Sequence, residues 1–428
     1  MKRRNAARPG LRESGLSVSS RLSTGAPAGT GLRWRVLASA LALSSGLAAC
    51  GGAGTSVSVS SPGASSGFLY VASAAADGGS GEVLQYSIGS MGSLTVQSVP
   101  SVPAGTDPIG ITADPSGRYV YVVNAGDRTI SEYAVGAGGS LTQLSPATVS
   151  LPASTSQGGD FSATVDPSGH YLYVVVSPPG ETLVASPAFI AQYSIGSGGL
   201  LTPLTPAAIT LSTLAVGALA VDSIGRHAYL GGGASGVVLQ FAIGSDGTLS
   251  PLALPGVAAD DPTGVVLAPR TAVAYVLGRC VDTACDGEVS QYLIGSDASL
   301  NPRQSTTLAG SHIIPVGMVV NAAGSSAYLL ANLMGVDTNS GTLYPYAIDA
   351  SGALVPQGQL ETGSAAVAEA LNGSDLYILS SNALAAPPNG SGGHLAHFTL
   401  DRGGMPTEAE GTAIAGRNPT AMALVIAP

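Results

Sequence analysis

The sequence predicts an all-β protein, a seven-bladed β-propeller closed into a ring, and three observations carry this prediction. An apolar strand centred on a tyrosine recurs seven times, and a strand with an aromatic residue before a Gly-containing turn also recurs seven times. The two ends of the array also complement each other. A repeat of about 40–50 residues that contains four short strands is typical of one propeller blade.

The first recurring element is the tyrosine strand, as in YVYVVN. Its central residues are Tyr70, Tyr121, Tyr173, Tyr229, Tyr275, Tyr328 and Tyr377. The second element is the aromatic strand, as in SEYAVGAGGSL. Its aromatic residues are Tyr86, Tyr133, Tyr193, Phe241, Tyr292, Tyr346 and Phe398. So regular a set of aromatic residues favours packing between blades over a cofactor site.

Each unit contains two further predicted strands. One precedes the tyrosine strand, as in PIGITADPSGR, and alternates small and apolar residues before an Asp-Pro-Ser-Gly turn or a relative of it. In such a turn the Asp accepts backbone N–H groups, the Pro fixes its own φ and the Gly takes the left-handed position. The other strand follows the aromatic strand, as in LTQLSPATVSL. Four strands per unit are therefore expected.

The ends of the array predict how the ring closes. The first unit begins at Phe68 with its tyrosine strand and lacks the preceding element, whereas the chain ends with that element, NPTAMALVIAP, at Asn418–Pro428. An open solenoid would instead need capping repeats and would expose its strand edges. We expect the C-terminal strand to become the innermost strand of the first blade.

The segment before position 50 has the composition of an export signal. Arg33 and Arg35 supply a positive end, and the apolar run Val36–Ala49 follows directly. At about 1.5 Å per residue this run is shorter than the roughly 30 Å of a bilayer hydrocarbon core. It therefore predicts a signal peptide rather than a membrane span.

The end of this run, LAAC, stops at Cys50 and resembles the lipobox of bacterial lipoproteins. The resemblance implies cleavage before Cys50 and a diacylglyceryl group on its thiol. We therefore expect a signal peptide at 1–49, a lipidated cysteine with a flexible Gly/Ser linker at 50–66, and the propeller at 67–428. Gly51 gives no retention signal of the Asp type, which favours the outer membrane of the bacterial envelope.

Charge disfavours one class of partner. After position 50 the chain keeps eight Arg against 25 acidic residues, a formal charge of −17. Such a surface repels polyanions, so nucleic acid is not expected as a partner, and a membrane is expected to be reached only through the lipid. The protein is expected to be a monomer.

Two further cysteines, Cys280 and Cys285, lie close together in GRCVDTACDGE. Neither a His nor a third Cys is near them, which disfavours a metal site. An exported chain meets an oxidising compartment, so a local disulfide is expected, with two free thiols as the alternative.

In a propeller the loops that enter the innermost strands, and those that join the second and third strands, gather on one face. We name this the upper face. It is predicted to hold the ligand-binding residues, and the loops there also carry Asp127, Asp260, Asp337 and Asn418. The ligand-binding candidates are Asp107, Asn124, Arg128, Asp160, Asp261 and His312.

These loops suggest two kinds of chemistry. A carboxylate such as Asp160 or Asp261 could act as general base on a water, with His312 or Arg279 polarising a lactone carbonyl. The alternative, favoured at each residue, is an Asp that caps a turn before a Pro or a strand. Oxygen-rich loops also suit Ca²⁺, but no run has the spacing of a defined calcium loop. No cofactor and no defined metal site are predicted, and a Ca²⁺ bound by carboxylates at the channel mouth is the alternative.

The repeat DPSGRYVYVVN…ISEYAVGAGGSLTQL resembles the lactonase-type propellers, which include propeller 6-phosphogluconolactonases, and the related YVTN surface repeats. The resemblance implies His, Arg and Glu side chains that act on a lactone at one face. The matching segment here, SQGGDFSATVDPSGH, has Asp160 and no His ahead of its strand. Two hypotheses follow: a lipid-anchored module that binds a small molecule or an envelope protein, or a lactone hydrolase.

Overall fold

A computed structural model gives the fold of the repeat region. It describes residues 67–75, 77–152, 159–178, 188–279, 287–308, 313–333, 340–381, 392–409, 413–416 and 418–426. Several predictions from the sequence lie outside these residues. They concern the signal peptide, the linker, Cys50, Cys280, Cys285, His312 and Asp337.

The described residues form seven antiparallel sheets, each one blade, as the repeat predicts. Blade 1 contains β1 (Gly67–Ser73), β2 (Ser80–Ile88), β3 (Leu94–Thr106) and β30 (Pro419–Ile426). Blade 2 contains β4 (Pro108–Ala113), β5 (Tyr119–Asn124), β6 (Thr129–Val135) and β7 (Leu141–Ser150). Blade 3 contains β8 (Asp160–Val165), β9 (Tyr171–Ser177), β10 (Phe189–Ile195) and β11 (Leu201–Thr210).

The next two blades repeat the same order. Blade 4 contains β12 (Val216–Val221), β13 (His227–Gly231), β14 (Val237–Ile243) and β15 (Leu249–Ala258). Blade 5 contains β16 (Pro262–Leu267), β17 (Val273–Gly278), β18 (Glu288–Ile294) and β19 (Leu300–Thr307).

The last two blades have an outer strand that is divided into two short pieces. Blade 6 contains β20 (Ile313–Val320), β21 (Ser326–Leu333), β22 (Ser340–Ile348), β23 (Leu354–Pro356) and β24 (Leu360–Ser364). Blade 7 contains β25 (Ala366–Asn372), β26 (Asp375–Ser380), β27 (His394–Leu400), β28 (Pro406–Glu408) and β29 (Ala413–Ile414). Within the described residues the only helical turns are 3₁₀, at Ser90–Gly92 and Gly233–Ser235, and no helix there could cross a bilayer.

The ring closes as the sequence predicts. The C-terminal strand β30 pairs antiparallel with β1, so that Tyr70 lies opposite Ala423, and it becomes the innermost strand of blade 1. Each innermost strand packs against the next one around the ring, and β30 packs against both β25 and β4. Backbone hydrogen bonds between the two ends of the chain therefore complete blade 1.

The antiparallel order places the loops on two faces. Innermost strands run from the upper face to the lower face, and the tyrosine strands run back. The lower face consists of tight turns, such as the one that follows Asp114 between β4 and β5. In that turn Oδ1 of Asp114 accepts hydrogen bonds from the backbone N–H groups of Arg118 and Tyr119, at 2.7 and 2.8 Å.

The seven central tyrosines join each blade to the next. Every one of them is fully buried, and its hydroxyl donates a hydrogen bond of 2.6 to 2.8 Å to a backbone carbonyl in a lower turn of the following blade. The acceptors are Gly139, Gly199, Gly247, Ala298, Gly352, Gly404 and Gly92. The last bond, from Tyr377 to Gly92, joins blade 7 to blade 1, so the closing seam has the same link as the others.

A second link comes from the residue before the aromatic position. Gln85, Gln192 and Gln240 each accept a hydrogen bond of 2.6 to 2.7 Å from the backbone N–H of a buried Leu in the following blade. Glu132 takes the same place in blade 2, where its Oε1 accepts from the N–H of Leu201 at 2.6 Å. Burial raises the pKa of Glu132, and this backbone hydrogen bond partly offsets the rise.

Candidate functional site

Two predicted site residues meet on the upper face of blade 5. Asp261 directly precedes β16 and Arg279 directly follows β17. Because Pro262 pairs with Gly278 across these antiparallel strands, the two residues lie at the same end of the blade. Nε of Arg279 is 2.8 Å from Oδ2 of Asp261, and its backbone N–H donates to the Asp261 carbonyl at 3.0 Å.

The environment of this pair is that of a partly buried ion pair. The side chain of Asp261 is 2% exposed and that of Arg279 is 17% exposed. A charge-assisted hydrogen bond in such a setting holds the guanidinium in a defined orientation. The pair can therefore present a positioned cation at the mouth of the ring.

Three residues of the upper face have a strained backbone, as do Met91 and Ala298 in lower turns. Asp107, Arg128 and Asp261 have φ values of 52°, 56° and 32°, a region that side chains other than Gly seldom adopt. Asp107 and Asp261 are equivalent, since each precedes the Pro that opens an innermost strand. Strain of this kind is often retained at binding sites, where the surrounding structure stabilises it.

The predicted residues of blade 2 hold their own loop together. The amide of Asn124 is buried; it accepts from the N–H of Gly105 at 3.0 Å and donates to Ser131 at 2.9 Å. Arg128 donates through Nη2 to the carbonyl of Pro152 at 3.2 Å. These contacts position the upper loops of blades 1 to 3, and a role in ligand binding for Asn124 and Arg128 stays a prediction.

The remaining candidates are placed only in part. Asp160 is the first residue of β8, on the upper face next to Gly159, as the sequence predicts. Among the described residues no cluster of His, Cys, Asp and Glu could hold a metal ion. Of the histidines in the described ranges, His170 lies in a lower turn and contacts Ser168, and His227 begins β13 at the lower face and contacts Asp222.

A cavity of about 120 Å³ lies in the central channel, nearer the lower face than the upper. Six innermost strands line it, those of blades 1 to 6. Among its lining residues are Thr112, Thr164, Leu219, Val266, Met318 and Val425. This part of the channel is therefore mostly apolar, unlike the upper mouth.

Sequence reasoning missed one buried acid, Glu369 in the innermost strand of blade 7. Glu369 is 3% exposed, lies opposite Ile378, and has no hydrogen-bond partner for either carboxylate oxygen within the described structure. Burial raises its pKa well above the ordinary value. The equivalent residues, each preceding the partner of a central tyrosine, are Ile111, Ala163, Leu219, Val265, Met318 and Met422.

Comparison with solved structures identifies the architecture. The periplasmic gluconolactonase of Pseudomonas aeruginosa superposes with a TM-score of 0.65 at 17% identity, over 85% of this chain and 99% of that chain. This chain has the fold of the lactonase-type propellers. A candidate 6-phosphogluconolactonase from Bacteroides fragilis gives a TM-score of 0.64 at 16% identity, over 85% of this chain and 99% of its own. No family model and no curated protein matches the sequence.

Proposed function

We propose that this lactonase-like propeller is a lipid-anchored, extracytoplasmic module that binds a small oxygen-rich ligand, such as a sugar acid, at its upper face. The observation that carries the proposal is the Asp261–Arg279 pair, because a guanidinium fixed by a buried carboxylate binds oxygen ligands at little entropic cost.

Binding can be tested on the chain that begins at Gly51, with Arg279→Lys as the variant. Lysine keeps a positive charge beside Asp261 but loses the planar donor set of arginine. The matched control is Arg270→Lys on the lower face, where Nε of Arg270 donates to the carbonyl of Ala322. Sugar acids and their lactones should raise the Tm of the wild type and of the control, and not that of Arg279→Lys.

A panel in which no sugar acid or lactone shifts the Tm of the wild type would count against ligand binding. A shift that persists in Arg279→Lys would place the ligand elsewhere on the molecule.

The anchor and the location have separate support. The apolar run Val36–Ala49 ending at Cys50 supports export and lipid attachment, and one structural relative is periplasmic. Growth with an alkyne fatty acid should label the wild type and leave Cys50→Ala unlabelled. Label on both proteins would contradict attachment at Cys50, and fractionation of the labelled wild type tests the outer membrane.

Hydrolysis of a lactone is a second candidate function. It is favoured by the two structural relatives, which are a gluconolactonase and a candidate 6-phosphogluconolactonase. In this scheme Asp160 accepts a proton from the attacking water, and Arg279 stabilises the carbonyl oxygen as negative charge develops there. The ring C–O bond then breaks, the leaving alkoxide takes the proton that Asp160 accepted, and the product is the hydroxy acid.

Turnover of gluconolactone, followed by acid release in a pH-stat above the spontaneous rate, tests this scheme. If the protein is a hydrolase, Asp160→Asn and Arg279→Lys should each lower kcat by about 100-fold. Arg270→Lys should leave the rate unchanged. A rate equal to the spontaneous one would leave ligand binding as the function.

A further inference from the structure

We infer that the lower face of the ring is the side that lies against the membrane, so that the upper face is presented away from it. This inference rests on the proposed lipid at Cys50. It adds the orientation of the anchored molecule and assigns a contact surface to the lower face, whose occupant is the lipid bilayer. Two independent features of the described residues support it.

The first feature is the point at which the chain enters the ring. Gly67, the first residue of β1, pairs with Ile88 at the end of β2 and with Ile426 at the end of β30. All three residues lie at the lower face, because β1 runs from the lower face to the upper face. A lipid on Cys50 is therefore connected to the lower face, next to the channel mouth.

The length of the connecting chain limits the other orientation. Residues 51–66 could span at most about 60 Å if fully extended, and a Gly/Ser-rich chain of this length averages only about 20–25 Å end to end. A strand such as β4 makes the ring about 20 Å high. An inverted ring would force the connection to pass along the whole blade, which costs entropy.

The second feature is the apolar character of the lower rim. Ile224 and Met91, both in lower turns, are 69% and 86% exposed, and Ile426 beside the chain entry is 39% exposed. The other exposed large hydrophobic residues lie on strands, mostly outer ones, and none lies in a described upper loop. They are Val96, Val99, Leu254, Leu293 and Val355. Pro115 and Pro167 continue the lower rim around the apolar cavity. Such side chains gain free energy by entering a bilayer interface.

The distribution of charge gives the lower face a set of arginines without making that face net positive. Four of the described arginines lie in lower turns, and a fifth donates to Ser351 in another lower turn. These are Arg118, Arg226, Arg270, Arg402 and Arg303. The lower carboxylates are turned towards their own backbone, as when Asp349 accepts from the N–H groups of Ser351 and Ala353.

The lower face nevertheless has more carboxylates than these five arginines, so it carries no net positive charge. Its eight acidic residues are Asp114, Asp166, Asp222, Asp246, Asp297, Asp349, Asp375 and Asp401. The upper face is acidic as well. In the described loops there, carboxylates exceed cations, and Asp77, Asp127 and Asp260 are exposed. The negative charge of the whole chain also means that the lower face should not adsorb without a tether, so contact requires the anchor.

The absence of tryptophan after position 50 provides a direct test, since Trp34 is the single one and precedes the predicted cleavage site. The lipidated protein is reconstituted into phosphatidylcholine vesicles that contain a brominated phosphatidylcholine, which quenches tryptophan on contact. Reporters are Met91→Trp and Ile224→Trp on the lower face. The matched control is Asp77→Trp in the exposed upper turn between β1 and β2.

Brominated lipid should quench both lower reporters at least about twofold and leave Asp77→Trp unaffected, since quenching requires immersion in the interface. Equal quenching of upper and lower reporters, or stronger quenching of Asp77→Trp, would overturn the orientation. Circular dichroism confirms that each variant is folded, and two reporters guard against a local disturbance at one turn.

Failure of the anchor is read separately. Mass spectrometry of the purified protein shows whether Cys50 carries lipid, independently of quenching. If it does not, the same variants are attached through a histidine tag at position 50 to a nickel-chelating lipid. Quenching confined to the lower reporters would then support contact between the lower face and the bilayer, although lipid attachment at Cys50 had failed. Quenching of all reporters, or of the upper reporter alone, would reject the orientation as well as the anchor.

Discussion

The two faces of the ring are built from the same sequence repeat. On the lower face the contacts are the same in every blade, whereas on the upper face they differ from blade to blade. On the lower face all seven blades donate a tyrosine hydroxyl to the same position of the next blade. On the upper face each blade has its own contacts, such as the Asp261–Arg279 pair in blade 5 and the Asn124 network in blade 2. The links between blades are thus the same in every blade of the lower face, whereas those of the upper face, such as Asn124 with Gly105 and Asn332 with Ala366, differ from one blade to the next.

The largest expected effect tests whether an upper contact peculiar to one blade also stabilises the fold. Arg279→Ala leaves the carboxylate of Asp261 buried without its guanidinium partner, which should lower the free energy of unfolding by about 3 kcal/mol. Urea titration measures this change. Arg270→Ala, which removes an exposed lower arginine, should cost less than about 0.5 kcal/mol. Equal losses of unfolding free energy in Arg279→Ala and Arg270→Ala would mean that the Asp261–Arg279 pair does not stabilise the fold.

The next effect comes from the one innermost strand that breaks the repeat. Glu369→Met places at this position the side chain found in blades 1 and 6, at Met422 and Met318. Removing a buried carboxyl that has no partner in the described structure should raise the free energy of unfolding by roughly 1–3 kcal/mol at neutral pH.

The gain should depend on pH with a definite sign. Burial raises the pKa of Glu369 in the folded protein, so its protonated form is favoured there. Its contribution to stability is complete below the unfolded pKa of about 4.3 and is lost as the pH rises towards the folded pKa. The advantage of Glu369→Met should therefore grow from pH 4 to pH 8.

The groups around Glu369 and one control variant make this prediction specific to Glu369. The strands packed against β25 contribute few titratable groups, and the one carboxylate among them, Asp375, is paired with His397 at 2.8 Å. The full set is Tyr328, Tyr344, Tyr346, Asp375 and Tyr377. Glu132→Gln removes another buried carboxyl, one that has a backbone partner, and should show a smaller pH dependence. A gain that is constant with pH would refute titration of Glu369.

A smaller and uniform effect is expected from the tyrosine links. Replacing any one of the seven by Phe removes a buried hydroxyl and leaves a carbonyl unpaired, at a cost of about 1–2 kcal/mol. Tyr377→Phe at the closing seam should match Tyr173→Phe in the middle of the ring, since both bonds are 2.7 to 2.8 Å long. A markedly larger loss for Tyr377→Phe would show that the seam is weaker than the other junctions.

The same contrast explains what the sequence could predict. The strands, the number of blades and the ring closure were predictable because the same pattern occurs seven times. A single copy could have been altered by its tertiary contacts, but seven consistent copies could not. The meeting of Asp261 and Arg279 at one end of blade 5 was also predictable, because antiparallel pairing places the start of β16 next to the end of β17.

The contacts between blades could not be predicted in the same way. They depend on how one blade packs against the next, which the period of the repeat does not determine. The carbonyl that each tyrosine hydroxyl reaches lies about 70 residues further along in most blades, as for Tyr70 and Gly139 with a separation of 69. Glu369 was visible in AVAEALN, and aligning it with VGALAVD would have shown a carboxylate where Leu219 packs. Its lack of a partner could be seen only once the blades were assembled.

The smallest effect concerns the lower turn of blade 5, where the residue that accepts the tyrosine hydrogen bond is Ala298 and not Gly. Ala298 holds the position that Gly occupies in the other blades, with φ at 64°, and its carbonyl still accepts from Tyr229 at 2.7 Å. Ala298→Gly should relieve backbone strain and raise the free energy of unfolding by about 0.5–1 kcal/mol. The reverse change, Gly247→Ala, should destabilise by more, because a Cβ there would collide with the ring of Tyr171. Urea titration of both variants decides the matter: loss of stability in Ala298→Gly would mean that the turn of blade 5 is not strained, and that the repeat of the lower face tolerates a side chain where its tyrosine link ends.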